Sequence, residues 1–262
     1  MLRLRTMRQA GRVPVRRSTS QDRVLDGSPS GRRSRVGLTS RALSLGLLAG
    51  VPSAAPLRAQ PHATELSAEV YTGGAWSLPL PFTVALPGAP AARLRPHWST
   101  RPFADAPYYA YRAGWARDAR GVDAELLHHK LYLENPAPPV ERFEVTHGYN
   151  LPMLSARAPA GGWQLRIGLG AVIAHAEGRI AGRAVGGGRT LLGGGYHIAG
   201  VAAQVAVGRR YLLGRGATAL FAAPELKLTA ARARVPLDGG GTVTVPNVAV
   251  HLLGGLGVRH QP

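Results

Sequence analysis

Residues 163–175 read Trp-Gln-Leu-Arg-Ile-Gly-Leu-Gly-Ala-Val-Ile-Ala-His, and their alternation decides the fold class. Successive side chains of a strand point to opposite faces. One face therefore carries Trp163, Leu165, Ile167, Leu169, Ala171 and Ile173, and the other Gln164, Arg166, Gly168 and Gly170. The same period recurs near the C-terminus, where Val248, Val250, Leu252, Leu256 and Val258 lie opposite Asn247, His251, Gly255 and Gly257. Between these runs, Leu226, Leu228 and Ala230 alternate with Glu225, Lys227 and Thr229. Similar segments span 93–103, 108–117, 122–133, 142–151, 195–213 and 217–235, each ended by Gly, Pro or Asp.

Counting from Arg93 gives eight strands. An even number of antiparallel strands predicts an all-β protein, a closed antiparallel transmembrane β-barrel of eight strands, with ten as the alternative. The ten-strand form would draw on residues 65–86, but Pro79 and Pro81 argue against a regular central strand there. A soluble barrel puts its apolar face inside, whereas a membrane barrel has a polar interior and an apolar outer band. Three features favour the membrane form. Glycine crowds the polar face at 168, 170, 255 and 257, as a narrow lumen requires, and the opposite face is aliphatic and nearly uncharged. Aromatic residues also collect near strand ends: Tyr108, Tyr109, Tyr111, Trp115, Tyr132, Tyr149, Trp163, Tyr196 and Tyr211, as interfacial girdles would. A soluble secreted lipid-binding barrel is the reading that follows if the faces are reversed.

The charge is concentrated ahead of this region. The chain has 262 residues and a net charge of +18, from 32 Lys+Arg against 14 Asp+Glu. Residues 1–60 alone hold twelve Arg against Asp22 and Asp26, a balance of +10. Residues 1–35 are Arg-rich without hydrophobic period and read as a disordered basic extension or a misassigned start. Residues 36–59 read as a secretory signal peptide: Arg32, Arg33 and Arg35, an apolar run at 42–51, then small residues before a cut after Ala59. That run is too short for a permanent membrane helix, which needs about 20 residues. The expected organisation is then an N-terminal segment over 60–91, with a possible extra hairpin, and the barrel over 92–262. Nucleic-acid binding is not expected, because the basic tract belongs to the leader and no basic-aromatic platform follows it. The absence of cysteine excludes disulfides and thiolate metal sites.

From about Arg93 to His260 the chain resembles the small bacterial outer-membrane β-barrel proteins, through its signal peptide, strand alternation and C-terminal strand at 248–260. That resemblance implies an outer-membrane location, contact with outer-membrane lipid and lipopolysaccharide, and insertion by the barrel-assembly machinery. Members of the family usually finish on Phe or another aromatic, whereas this chain ends His260-Gln261-Pro262.

Strand parity predicts a polar lumen containing His128, Lys130, Glu144, Thr146, Asn150, Gln164, Arg166, Gln204, Glu225, Lys227 and His251. Charges of both signs in a narrow barrel must pair, since an unpaired buried charge is costly. The corresponding function is a non-enzymatic barrel with a salt-bridged interior in a structural, adhesive or narrow solute-passage role. Eight strands leave no wide channel. The alternative is a lipid-modifying enzyme. His97-Trp98-Ser99 resembles the His-x-Ser of the barrel lipid A deacylases, which implies His97 and Ser99 as a catalytic dyad. No cofactor is implied, and no metal site is expected. His175 and Glu177 share a strand face without a third ligand, and His147 and His197 read as interfacial or loop residues.

Overall fold

A computed structural model describes residues 63–104, 107–186 and 194–262. The basic extension over 1–35 and the signal peptide over 36–59 lie outside the described residues. The first strand, β1 (Thr64–Ser77), is followed by the short β2 (Phe82–Ala85), β3 (Ala92–Leu94) and β4 (Trp98–Ser99). Next come β5 (Tyr109–Arg117), β6 (Arg120–Leu133), β7 (Val140–Ala160) and β8 (Trp163–Ala174). The short β9 (Glu177–Ile180) and β10 (Arg183–Ala184) precede β11 (His197–Gly208) and the two-residue β12 (Tyr211–Leu212). Two long strands finish the chain, β13 (Thr218–Pro236) and β14 (Thr242–His260).

Eight of these strands form a ring in the order β7-β8-β11-β13-β14-β1-β5-β6, and β6 pairs with β7 to close it. Every pair around the ring is antiparallel. The fold is a closed, eight-stranded antiparallel β-barrel. Its first strand differs from the sequence expectation. Residues 64–77 are not a separate N-terminal segment but a ring strand, pairing with β14 on one side and β5 on the other. Pro79 and Pro81 fall beyond its last residue, so they do not interrupt its ladder. Segment 93–103 supplies only β3 and β4, because Pro96 and Pro102 break it.

One end of the barrel carries tight turns at 118–119 and 161–162, together with the start of β1 and the end of β14. The opposite end carries the longer connections, and β2, β3, β9 and β10 extend the wall there. Between the two ends the wall reverses its polarity. Near the tight-turn end Leu66, Val70, Ile167, Leu169, Val205, Leu226 and Leu256 are exposed outward, while Glu69, Arg112, Glu125 and Arg166 are buried inside. Toward the long-loop end Phe82, Val84, Phe143, Val145, Val235 and Val243 are buried in an apolar core. There Arg93, Arg232 and Arg234 stand on the exposed face.

Strand β13 shows the reversal in one line. Its outward residues run Leu220, Ala222, Pro224, Leu226, Leu228 and Ala230, and then Arg232 and Arg234. Ten residues separate Leu220 from Ala230, which is about 33 Å along the strand, or about 25 Å along the axis at a tilt of about 40°. That matches the height of an outer-membrane apolar band. The lower barrel therefore presents an apolar band on its outer wall, and the upper part a polar, arginine-bearing crown. Trp115, Trp163 and Tyr211 stay exposed near the tight-turn end. Tyr108 and Tyr149 do not join an outer girdle but are buried in the core, and Tyr132 is buried with the Arg101 guanidinium 4.4 Å over its ring.

Gly255 and Gly257 allow the lumen to be filled. A Cβ at Gly255 would clash with the Tyr71 ring, and one at Gly257 with the Phe221 ring. Both aromatic rings lie flush on bare backbone, which a narrow barrel requires.

Candidate functional site

The interior is organised in three levels. The lowest is a charged layer projecting from six of the eight ring strands and from the β11–β12 connection. Its carboxylates are Glu65, Glu69, Asp123, Glu125 and Glu225, and its cations are Arg112, Arg157, Arg166, Arg210 and Lys227. Five negative charges thus face five positive ones, with Arg259 adding a contact of 3.7 Å to Glu65 at the rim. Arg112 is the hub. Its Nε donates to Glu125 at 2.7 Å, while its terminal nitrogens reach Glu225 at 2.7 Å, Glu69 at 3.2 Å and the Tyr71 hydroxyl at 2.7 Å. Arg166 bridges Asp123 at 2.7 Å and Glu225 at 3.0 Å. Lys227 donates to Glu125, and Arg210 to Glu69 and to Glu65. Mutual pairing of this density is what lets charges stay in a space closed to bulk water.

Above it lies a neutral polar level. His251 accepts and donates between the Tyr108 hydroxyl and Thr229, the latter at 2.8 Å. Its ring meets His129 edge-on, with centroids 5.2 Å apart. Asn247 donates to Ser77 at 2.9 Å, and Ser77 lies 3.4 Å from His129 Nε2. The third level is apolar. Phe82, Trp98 and Phe143 cluster with centroid separations of 5.7, 5.7 and 6.1 Å, surrounded by Val145, Ile180 and Val243. A charged, then polar, then apolar filling occupies the lumen along its length.

The structure turns Arg166, Glu225, Lys227 and His251 into this lumen. It turns His128, Lys130 and Glu144 away from it. His128 shares the outward parity of Leu126, stacks on Tyr109 at 4.7 Å and bonds Asn150 at 2.8 Å. Lys130 sits at an irregularity between His129 and Leu131 and donates to the Ala104 carbonyl. Glu144 accepts from the exposed Arg142 on the outer face, while its neighbours Phe143 and Val145 point inward. The physical reason is common to all three. They sit at or above the crossover, where the inward face is the apolar one.

Asp123, Glu125, Glu65, Glu69, Arg112, Arg157 and Arg210 complete the charged layer without having stood out in the sequence. Parity was the available signal. Asp123 and Glu125 alternate with Val122, Ala124 and Leu126, and Arg112 lies between Tyr111 and Ala113. Arg210, in contrast, comes from the β11–β12 connection and reaches in to Glu69, which no strand pattern marks.

His97 and Ser99 occupy the exposed β3–β4 region. The Ser99 hydroxyl donates to Glu134, which also pairs with Arg101 at 2.9 Å. His97 uses its backbone there, its N–H donating to Asn135 at 2.6 Å. Among the described residues no hydrogen bond joins His97 to Ser99. The Ser99 hydrogen bond, aided by Arg101, holds the Glu134 carboxyl below its ordinary range. The Ser99 hydroxyl is thus engaged with a carboxylate on an open surface rather than with the His97 imidazole.

No protein-family model and no curated protein matches the chain. Among solved structures it is similar to the crystal structure of Neisserial surface protein A, at 10% sequence identity and a TM-score of 0.31. The alignment covers 76% of this chain and 97% of that one.

Proposed function

We propose that the chain is a non-enzymatic outer-membrane β-barrel protein, exported by its leader and inserted by the barrel-assembly machinery, with a structural or adhesive role carried by its crown. The polarity reversal on the outer wall is the observation that carries this reading. An apolar band of about 25 Å meets a row of arginines, as expected where acyl chains give way to anionic headgroups. The filled lumen supports a structural role over solute passage, since no charged group of the lowest layer is free to line a water path.

Lipopolysaccharide is the partner that this boundary fits. Across the sheet the register sets Arg234 opposite Thr244, Thr244 opposite Thr83 and Thr83 opposite Arg93. Two guanidinium groups flank two hydroxyls in a row about 14 Å wide, three strand spacings. Arg232 lies beside it, two residues down the same face of β13. Guanidinium groups pair well with phosphate oxygens, and the hydroxyls add neutral donors. Fractionated outer membranes test the location. The chain should be found there as a band that shifts in gel mobility on boiling, and reconstitution in planar bilayers should give no conductance steps. A periplasmic, heat-insensitive chain would overturn the reading. Arg232→Glu with Arg234→Glu should lower the lipopolysaccharide that copurifies, whereas unchanged copurification would remove that partner. Ser99→Ala should leave the lipid A mass profile unchanged, and an altered profile would restore the enzymatic alternative.

A further inference from the structure

At the long-loop end, three side chains distant from the lumen converge. His147 stands exposed on β7, His175 follows the last residue of β8, and Glu177 opens β9. The His147 Nδ1 lies 2.9 Å from Glu177 Oε1, and the His175 Nε2 lies 3.6 Å from the same oxygen. The three potential ligand atoms all fall within 4.8 Å of one another. Strand parity gives only the His175–Glu177 pair. The third member comes from the neighbouring strand, because β7 changes its partner here from β8 to β9.

The arrangement is held in place by its surroundings. The His175 backbone N–H donates to the Gly148 carbonyl at 3.1 Å. Tyr196 donates to the His147 carbonyl at 3.1 Å and sets its ring edge-on to His175, with centroids 4.8 Å apart. Gly195 has φ of +83°, and a Cβ there would lie 2.9 Å from the His175 Nε2. A side chain at 195 would crowd the ligand nitrogen itself. All three groups stay open to water, with side-chain exposures of 57%, 22% and 37%.

We infer that His147, His175 and Glu177 form a binding site for a divalent transition-metal ion of the zinc class. Imidazole and carboxylate ligands bind zinc at about 2.0–2.2 Å, so two ligand atoms of a tetrahedral site stand about 3.4 Å apart. The observed 2.9 and 3.6 Å bracket that value. Two imidazoles select a transition metal over calcium or magnesium, which prefer all-oxygen shells. Three protein ligands leave further positions for water. The ion would tie the β9–β10 ribbon of the crown to the barrel wall at β7.

The test uses the full, untagged chain refolded in detergent, titrated calorimetrically with zinc chloride. One Zn2+ should bind per chain, and cobalt chloride should give the visible absorption of a coordinated ion. Loss of outer-shell partners alone weakens metal sites roughly 10–100-fold, so His175→Ala and Glu177→Gln should each weaken binding at least about tenfold. Replacing His260, which lies at the other end, should leave affinity unchanged. On the unsubstituted chain, zinc should protect His147 and His175 from carbethoxylation, read by mass spectrometry. Absence of binding, binding that His175→Ala and Glu177→Gln leave intact, or unprotected His147 would each overturn the proposal.

Discussion

Removing the hub of the charged layer should cost the barrel a large part of its stability. In Arg112→Ala, Glu125 keeps Lys227, Glu69 keeps Arg210, and Glu225 keeps Arg166 at 3.0 Å and Lys227 at 3.4 Å. The layer nevertheless holds one uncompensated negative charge, and Arg112, Glu69 and Glu125 all have fully buried side chains. Breaking a buried pair from one side costs about 3–5 kcal/mol. At about 1.4 kcal/mol per tenfold, the folding equilibrium should fall by about two to three and a half orders of magnitude. The assay is urea unfolding in lipid vesicles, followed by tryptophan fluorescence and by the heat-shifted band. Arg112→Met with Glu125→Gln restores the charge balance and should recover more than half of the loss, because removing both partners is far less costly than removing one. Equal midpoints for Arg112→Ala and the unsubstituted chain would refute the coupling of these charges.

Other substitutions probe the wall and the crown. Leu252→Arg, on the outward face in the apolar band, should destabilise the vesicle-inserted barrel by about 2–4 kcal/mol, whereas Thr244→Arg in the crown should be nearly neutral. Equal effects in vesicle unfolding would contradict the assigned boundary. Gly257→Val drives a side chain into the Phe221 ring and should cost about 1–3 kcal/mol in the same assay. A stabilised variant would show that the ring does not lie on bare backbone. Glu134 provides a pH prediction. Its folded-state pKa lies below the ordinary value, so its contribution is present above that ordinary value and fades as pH falls through the folded one. Ser99→Ala removes the first cause and should raise the Glu134 titration, as followed by the carboxyl carbon shift in NMR. An unchanged curve would remove the hydrogen bond from the account.

Much of the barrel is legible in the sequence, since β8, β13 and β14 alternate cleanly and seven of the eight ring strands emerge from the count, segment 93–103 having stood in for the eighth. The first strand is not, because Gly73, Gly74 and the prolines just after it mask a regular strand at 64–77. The misplaced side chains share one cause. A rule that sends polar groups inward holds for Arg166, Glu225 and Lys227, which lie below the crossover. It fails for His128, Lys130 and Glu144, since Leu127, Leu131, Phe143 and Val145 fill the interior at their levels. A barrel wall that passes from an apolar to a polar outer face reverses its inside-outside code partway along a strand, and a single parity assignment per strand cannot follow it. The β7 switch from β8 to β9 likewise hides His147 from any pattern read along one strand.

The most direct test of that reversal exploits the absence of native cysteine. Single cysteines at 220, 226, 228, 232 and 234 along the outward face of β13, and at 225 and 227 inside, would carry a fluorescent label in vesicle-reconstituted protein. Positions 220, 226 and 228 should be quenched by lipid-borne quencher, 232 and 234 by aqueous quencher, and 225 and 227 should resist labelling in the folded barrel. Aqueous quenching at 226 and 228 would contradict a membrane-spanning barrel with an occluded charged core.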